Sequence, residues 1–343
     1  MRAWWINQAD QAGHHTGRPL VLGTRPDPST GAGDLLVRVH VCGVCRTDLH
    51  LAQGELAPKR PRVVPGHEVV GDVVELGPGC NRFAIGDRVG IAWLRGTCGS
   101  CRFCLRGDEN LCLSPRFTGW DDDGGYAEFT TVPEKFAYSV PEVFSDNEAA
   151  PLLCAGIIGY RALRRSQIKP GGKLGIYGFG ASAHLAAQVA MYEGADVYVM
   201  TRSPEARRLA SELGAVFVGD AYDEPPEPLD SAILFAPAGN LVPVALRGLD
   251  RGGTLAIAGI YLSDIPPLNY AADLFQERQV LSVTANTRRD GADLLAIAAQ
   301  IPLRPAVTAY DFTEADQALS DLSADLVTGA AVLQVSRHDA QAF

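Results

Sequence analysis

The chain has no excess of positive charge. Lys and Arg total 30 against 40 Asp and Glu, for a net charge of -10. That balance argues against nucleic acid or an anionic membrane surface as a partner. No apolar run approaches the ~20 residues of a membrane span; the most apolar stretch, 149–160, is short and stops at Arg161. The opening, MRAWWINQAD, carries Arg2 but no apolar stretch before Asp10. No secretory signal is therefore expected there, and a cytoplasmic location is. Internal repeats and low-complexity segments are also lacking. What remains is an ordinary globular composition, 47% hydrophobic and 20% charged, able to bury a core. At 343 residues the chain exceeds the size at which one core usually stops growing, so two domains are expected.

The texture changes part-way along. Residues 1–150 read as strands punctuated by Gly and Pro, with apolar runs at 35–41, 69–76 and 88–93, which suggests a mostly antiparallel β-barrel. From about Pro151 strands alternate with helices: strands at 173–177, 196–200, 216–218, 231–235 and 254–260, helices at 182–192 and 204–213. Alternation of this kind means βαβ units on a parallel sheet. The end of the chain carries a helical stretch at 292–299 and a last strand at 331–335.

Eight cysteines in such a chain read as metal ligands rather than as a disulfide framework. Cys98, Cys101, Cys104 and Cys112 follow C-x2-C-x2-C-x7-C in a glycine-containing, charged loop. Four thiolates at that spacing can wrap one tetrahedral zinc at about 2.3 Å, and the metal would supply packing energy that the loop lacks. An iron–sulfur cluster is the competing reading, but its bacterial signature closes on a three-residue gap and a Pro, whereas here the gap is seven and Leu113 follows. Cys45, in CGVCRTDLH, and His67, in GHE, stand twenty-two residues apart; each alone is a weak signal. Cys154, in LLCAG, reads on its own as a small buried apolar residue.

The run Lys173–Tyr177 followed by Gly178-Phe-Gly180-Ala181-Ser182-Ala183 is a strand, then G-x-G-x-x-A, then a helix. This is the layout of a dinucleotide fold: Gly178 for the turn, Gly180 for close approach of pyrophosphate, and Ala183 for close packing of helix on strand. The amides near Ala181 and Ser182 would face the phosphates at a helix N-terminus. An NAD site normally carries Asp or Glu at the end of the second strand; this chain has Thr201-Arg202-Ser203 instead. Arg202 can meet a 2′-phosphate with its fork of donors, and Ser203 can add a hydroxyl, so NADP(H) is favoured over NAD(H). Ser203 before Pro204 is equally a helix N-cap, and Arg207 is either an assisting charge or a solvated one.

Taken together, these motifs resemble those of the zinc-dependent alcohol dehydrogenases of the medium-chain dehydrogenase/reductase superfamily, over essentially the whole chain. The resemblance implies a GroES-like β-barrel catalytic domain (1–152), a Rossmann doubly wound parallel-sheet cofactor domain (153–287) and a return to the catalytic domain (288–343). It implies two zinc ions per chain. The catalytic one would be held by Cys45, His67 and Cys154, with Glu68 as an alternate ligand; the structural one would be held by the four-Cys lobe. Three protein ligands leave a fourth position for water or a substrate oxygen. Asp48 is expected to orient His67, Thr47 and His50 to relay the proton, and Trp93 to line the alcohol pocket. Cys42 and Cys80 are expected to be packing residues. Where many small-alcohol enzymes place a Trp after the zinc cysteine, Gln53–Ala57 stands here, which suggests longer or aromatic substrates. The family often ends its last strand with Gly-Arg, whose Arg touches pyrophosphate. Here Gly329 is followed by Ala330, so Arg337 or a loop residue would have to substitute.

The expected activity is hydride transfer between a primary or secondary alcohol, or its carbonyl, and the nicotinamide, in a homodimer or homotetramer. A polyol or other sugar-alcohol dehydrogenase is the near alternative, disfavoured by Cys154, where polyol enzymes tend to carry Glu. A non-catalytic dinucleotide-binding redox sensor is the distant one, disfavoured by intact Cys45, His67 and Thr47.

Overall fold

A computed structural model describes residues 1–7, 19–301 and 303–336; Arg337 lies outside them. The chain divides into two compact units, one formed by Met1–Cys154, Ala285–Leu295 and Ala306–Phe343, the other by Ala155–Thr284 and Ala296–Pro305. The stretch Ala296–Pro305 thus belongs to the second unit, rather than to the first with the rest of 288–343. Part of the reason is the Gln188 amide, which accepts from the Arg304 N–H at 2.9 Å and donates to the Arg304 carbonyl at 3.2 Å.

The first unit is built on a seven-stranded sheet. Its order runs Val307–Asp311, Ala330–Gln334, Asp34–Val44, Val69–Leu76, Arg88–Ile91 and Ala137–Ser139, with Phe129–Pro133 also paired to Asp34–Val44. Only Val307–Asp311 and Ala330–Gln334 pair in parallel; the other pairings are antiparallel. Asp34–Val44 is the longest strand, and its outer half alternates buried and open positions while its inner half is buried throughout. Leu35, Val37, Val39, Cys42 and Val44 from it join Trp4, Leu94, Tyr126 and Leu333 in one apolar core. The register decides where the chemistry falls. Val41 lies opposite Val70, and Cys42 opposite Val69. One step further, the Gly43 N–H donates to the Glu68 carbonyl at 2.9 Å. The residues that follow and precede this ladder, Cys45 and His67, are therefore brought side by side.

The second unit holds six parallel strands in the order Phe217–Gly219, Asp196–Met200, Lys173–Tyr177, Leu229–Leu234, Leu249–Ile257 and Gln279–Ser282. Numbered along the chain this is 3-2-1-4-5-6, the Rossmann order, with the switch point at Lys173–Tyr177. The expected Rossmann fold is present. The two central strands, Lys173–Tyr177 and Leu229–Leu234, are buried over most of their length, with Lys173 and Asp230 open near their starts, as cover on two faces requires. No helix of the described residues is long and apolar enough to cross a membrane.

Candidate active site and metal centres

In the first unit, the strand Asp34–Val44 runs directly into the helix Arg46–Ala52, with Cys45 as its N-cap. The Cys45 sulfur accepts the Thr47 N–H at 3.3 Å, and the Asp48 carboxylate accepts the Cys45 N–H at 3.0 Å. This reciprocal cap satisfies two helix-start amides and aims the thiol out of the strand end. His67, 1% exposed, places Nε2 at 3.1 Å from the Cys45 sulfur. The short helix Ala150–Leu153 delivers Cys154. One ligand atom from each of Cys45, His67, Glu68 and Cys154 lies within 4.8 Å of the others. Cys154 is thus drawn into the cluster by the fold, which its local sequence did not show.

The protein groups alone carry an unbalanced charge pattern. The Cys154 thiol donates to Cys45, and this with the nearby His67 charge brings the Cys45 thiol down to about 5 in spite of burial. Burial pulls His67 toward the neutral form, but the Cys45 thiolate and Asp48 outweigh it and raise its pKa. Burial also holds Glu68 well above the usual carboxylate range, helped by the Cys45 charge. Cys154 is pushed up by its bond to Cys45 and then by burial. A set of buried soft ligands that keeps one thiolate and retains protons on the others is suited to a dication, which releases those protons on binding. The donor set, two sulfurs and one imidazole with a carboxylate behind, suits zinc with one position open.

The residues around the cluster act in ways that motif reading did not resolve. Asp48 stands 3.5 Å from His67 Nδ1, too long for a good hydrogen bond. Its two oxygens also serve the backbone, accepting from Cys45 N–H and from Gly66 N–H at 2.9 Å. Asp48 therefore ties together the backbone of both ligand segments. His50 pairs with Glu55, a residue the motif did not single out. Thr47 touches the cluster through its backbone N–H on the Cys45 sulfur. Gly43 has no room for a side chain, since a Cβ there would lie 2.0 Å from the Glu68 carboxylate. Trp93 meets the His67 ring edge-on, with centroids 4.8 Å apart, and stacks on Phe117 and Trp120. Trp120 donates to the Ala57 carbonyl at 2.8 Å, so an indole from a distant loop stands beside the Gln53–Ala57 stretch, where no local Trp exists. Cys42 is fully buried and Cys80 half-buried.

The four-Cys lobe supports itself poorly. Its helix Arg102–Leu105 buries no residue, and Leu105 and Leu113 are exposed. Sulfur separations of 3.9 Å for Cys98–Cys104, 3.6 Å for Cys101–Cys104 and 3.5 Å for Cys112–Cys98 bracket the edge of a tetrahedron with ~2.3 Å metal–sulfur bonds, about 3.8 Å. All four cysteines are free. Backbone N–H groups of Ser100 and Cys101 lower the Cys98 thiol to about 6, the thiolate form that a metal needs. The lobe is anchored by Glu109, which is buried and accepts from the Arg288 guanidinium and backbone N–H.

In the second unit, Gly178 follows the strand Lys173–Tyr177 at φ +84°, where a Cβ would strike Ala236. Gly180 caps the helix Ala181–Tyr192, and a Cβ added to it meets nothing within 4 Å, so its face is open to a phosphate. Ala183 is fully buried. These features fit a dinucleotide pyrophosphate at a helix N-terminus. Thr201 is buried, and Arg202 is exposed just past the strand Asp196–Met200. Ser203 accepts the Ala206 N–H at 3.2 Å and so serves as N-cap. Arg207 pairs with Asp220 at 3.3 Å. Ala330 is buried in the last strand.

The comparisons with known proteins agree with this geometry. The Alcohol dehydrogenase GroES-like domain family matches residues 31–142. A "Probable alcohol dehydrogenase AdhA" of Mycobacterium tuberculosis (strain CDC 1551 / Oshkosh) is 56% identical over 340 residues, covering 98% of this chain and 97% of the relative. The chain belongs to the zinc-dependent alcohol dehydrogenases of the medium-chain dehydrogenase/reductase superfamily. Among solved structures, the cinnamyl alcohol dehydrogenase SbCAD4 of Sorghum bicolor superposes with a TM-score of 0.87 at 27% identity, covering 100% of this chain and 99% of that one. A CAD of Helicobacter pylori complexed with NADP(H) gives 0.86 at 25%, with 97% of each chain covered. This alcohol dehydrogenase therefore carries a GroES-like unit and a Rossmann unit, with one candidate ligand cluster at each of two places in the former.

Proposed function

We propose that this alcohol dehydrogenase holds two zinc ions per chain and works with NADP(H) in preference to NAD(H), on alcohols or carbonyls with an extended or aromatic body. Cys45, His67 and Cys154 hold the catalytic ion, with Glu68 as the alternate ligand. Cys98, Cys101, Cys104 and Cys112 hold the structural ion. When bound, the metal supplies Lewis acidity to an alcohol or carbonyl oxygen, and the nicotinamide gives or takes the hydride. Asp48 keeps the ligand segments in place, and Trp93, backed by Phe117 and Trp120, offers a flat apolar wall. Thr47 and His50 carry the proton outward, with Glu55 beside His50 as a further acceptor.

The observation that carries the cofactor preference is Arg202, exposed at the end of the second strand where an NAD site would present a carboxylate. The NADP(H) bound by the Helicobacter pylori protein supports the same reading. A charge-assisted hydrogen bond to a 2′-phosphate contributes ~1.5–3 kcal/mol, roughly ten- to a hundredfold in affinity. The test is kcat/KM with NADPH and NADH across a panel of aliphatic, aromatic and polyol substrates, for wild type and Arg202→Asp. The wild type should favour NADPH and the variant should lose or reverse that preference; a wild type that favours NADH overturns the reading.

A homodimer or homotetramer is proposed with it, supported by exposed Tyr270, Phe275 and Val280 near the edge strand Gln279–Ser282. Light scattering on a gel-filtration column tests this. Eight free cysteines suit a reducing compartment, in keeping with the cytoplasm.

A further inference from the structure

The carboxylate support of His67 at its second ring nitrogen is a long contact. The second ring nitrogen of such a His is normally held by a carboxylate or carbonyl. Here the nearest partner of Nδ1 is the Asp48 oxygen at 3.5 Å, and the buried nitrogen makes no hydrogen bond within the usual limits. The ring direction therefore depends also on the backbone that carries it and on what packs on that backbone.

That backbone is gripped by a segment from elsewhere in the first unit. Gly124, Gly125 and Tyr126 run against Val64, Pro65 and Gly66. The Gly124 N–H donates to the Val64 carbonyl at 2.8 Å, Gly125 N–H to Gly66 at 2.9 Å and Tyr126 N–H to Pro65 at 3.0 Å. Asp123 accepts the Val64 N–H at 2.9 Å. Gly66, immediately before His67, sits at φ +95°, a conformation that glycine adopts without steric cost. A Cβ on Gly66 would lie 2.4 Å from the Tyr126 ring, so the ring rests directly on the glycine. A Cβ on Gly124 would lie 2.0 Å from the Gly66 carbonyl oxygen. The Gly66 N–H is taken by Asp48. Gly66 is thereby fixed at its N–H, its carbonyl and its Cα. Tyr126 is fully buried, and its hydroxyl makes no hydrogen bond, so its side chain acts through the ring.

We propose that Tyr126 is a positioning residue for the metal-binding imidazole: its ring, carried on Gly124–Tyr126, seats Gly66 and so sets where His67 Nε2 points. The proposal rests on the reading that Cys45, His67 and Cys154 hold a metal. Two rotatable bonds separate the His67 Cα from its ring, so a small rotation at Gly66 displaces Nε2 by a large fraction of an ångström, and tetrahedral ligation tolerates about 0.2 Å.

The test uses the full-length enzyme with Co2+ exchanged into the Cys45 site, read by its visible absorption and by competition with a chelator. Tyr126→Leu and Tyr126→Met should weaken metal binding about 10- to 100-fold and move the cobalt bands, with the affinity for NADPH unchanged. Tyr126→Phe should match wild type in both readouts. If Tyr126→Leu fails to fold, Tyr126→Met, whose flexible chain fills the same space, is read in its place. Wild-type bands and affinity in a folded Leu or Met variant would overturn the proposal, whatever the change in melting temperature. A Phe variant as damaged as Leu would overturn it as well, because the hydroxyl would then be the working part. Cys45→Ser separates the two levels. If it leaves the cobalt spectrum unchanged, the metal-site reading falls and this inference with it; if it changes the spectrum while Tyr126→Leu does not, only this inference falls.

Discussion

His184 offers a quantitative check on the cofactor unit. It lies in the first turns of the helix Ala181–Tyr192 and is fully buried. Its Nδ1 lies 3.1 Å from the Gly180 carbonyl, tying the phosphate-facing turn to the helix. No acidic residue stands in that first turn, and a helix N-terminus disfavours added positive charge. Burial lowers its pKa from 6.5 to about 4, against the opposing pull of the Gly180 and Ala181 backbone. A shift of that size disfavours the imidazolium by about 3 kcal/mol. The folded value lies below the unfolded one, so the unfolded chain binds a proton first as pH falls. Stability from the neutral ring is intact above pH 6.5 and drains away at ~1.4 kcal/mol per pH unit down to about pH 4. His184→Gln keeps a donor for Gly180 but does not titrate. Urea unfolding of both proteins at pH 7.5, 6 and 5, following far-UV circular dichroism, isolates the effect, because carboxylates and metal ligands common to both cancel in the difference. Between pH 7.5 and 5 the wild type should lose about 2 kcal/mol more than the variant. Parallel pH profiles would show that the ring is protonated, or not buried, in the folded chain.

Cys104→Ser should lower the melting temperature, since the lobe has little apolar burial and metal binding energy there is folding energy; an unchanged melting temperature would make the lobe dispensable. Arg288→Ala leaves the buried Glu109 carboxylate without its guanidinium and should cost about 2 kcal/mol, less than a fully buried pair because Arg288 is partly exposed; chemical denaturation measures it. Gly43→Ala forces the Glu68 carboxylate from its place and should cut turnover at least about tenfold while NADPH binding, followed by fluorescence, is retained. His50→Ala should lose activity chiefly at low pH in the oxidation direction; an unaltered pH–rate profile would remove His50 from the proton path.

The sequence by itself determined the parts with local signatures. The strand Lys173–Tyr177, its glycine turn and the following helix were legible because a short apolar run, Gly178 and an Ala-rich helix are each specified by neighbours in the chain. The four-Cys lobe was legible for the same reason: its ligands lie within one loop, and their spacing already limits the geometry. Ser203 before Pro204 announced an N-cap, and the structure makes it one. What tertiary structure decided is everything that depends on strand register and on loops arriving from far away. Gly43 faces Glu68 because Cys42 pairs with Val69, and a slip of one residue would have turned every side chain to the other face. Asp48 reads from its motif as a partner for the His67 ring and stands 3.5 Å from Nδ1, but that its oxygens also take two backbone amides is decided only by the folded chain. Trp120 and Tyr126 carry no signal in their own segments; they matter because the chain between residues 117 and 126 folds back against Ala57 and Gly66. Arg207 is one turn into its helix in any reading, but Asp220, beyond the next strand, claims it. Local propensity and spacing name the chemical groups; the pairing of distant backbones, each amide seeking a partner, decides which of those groups meet.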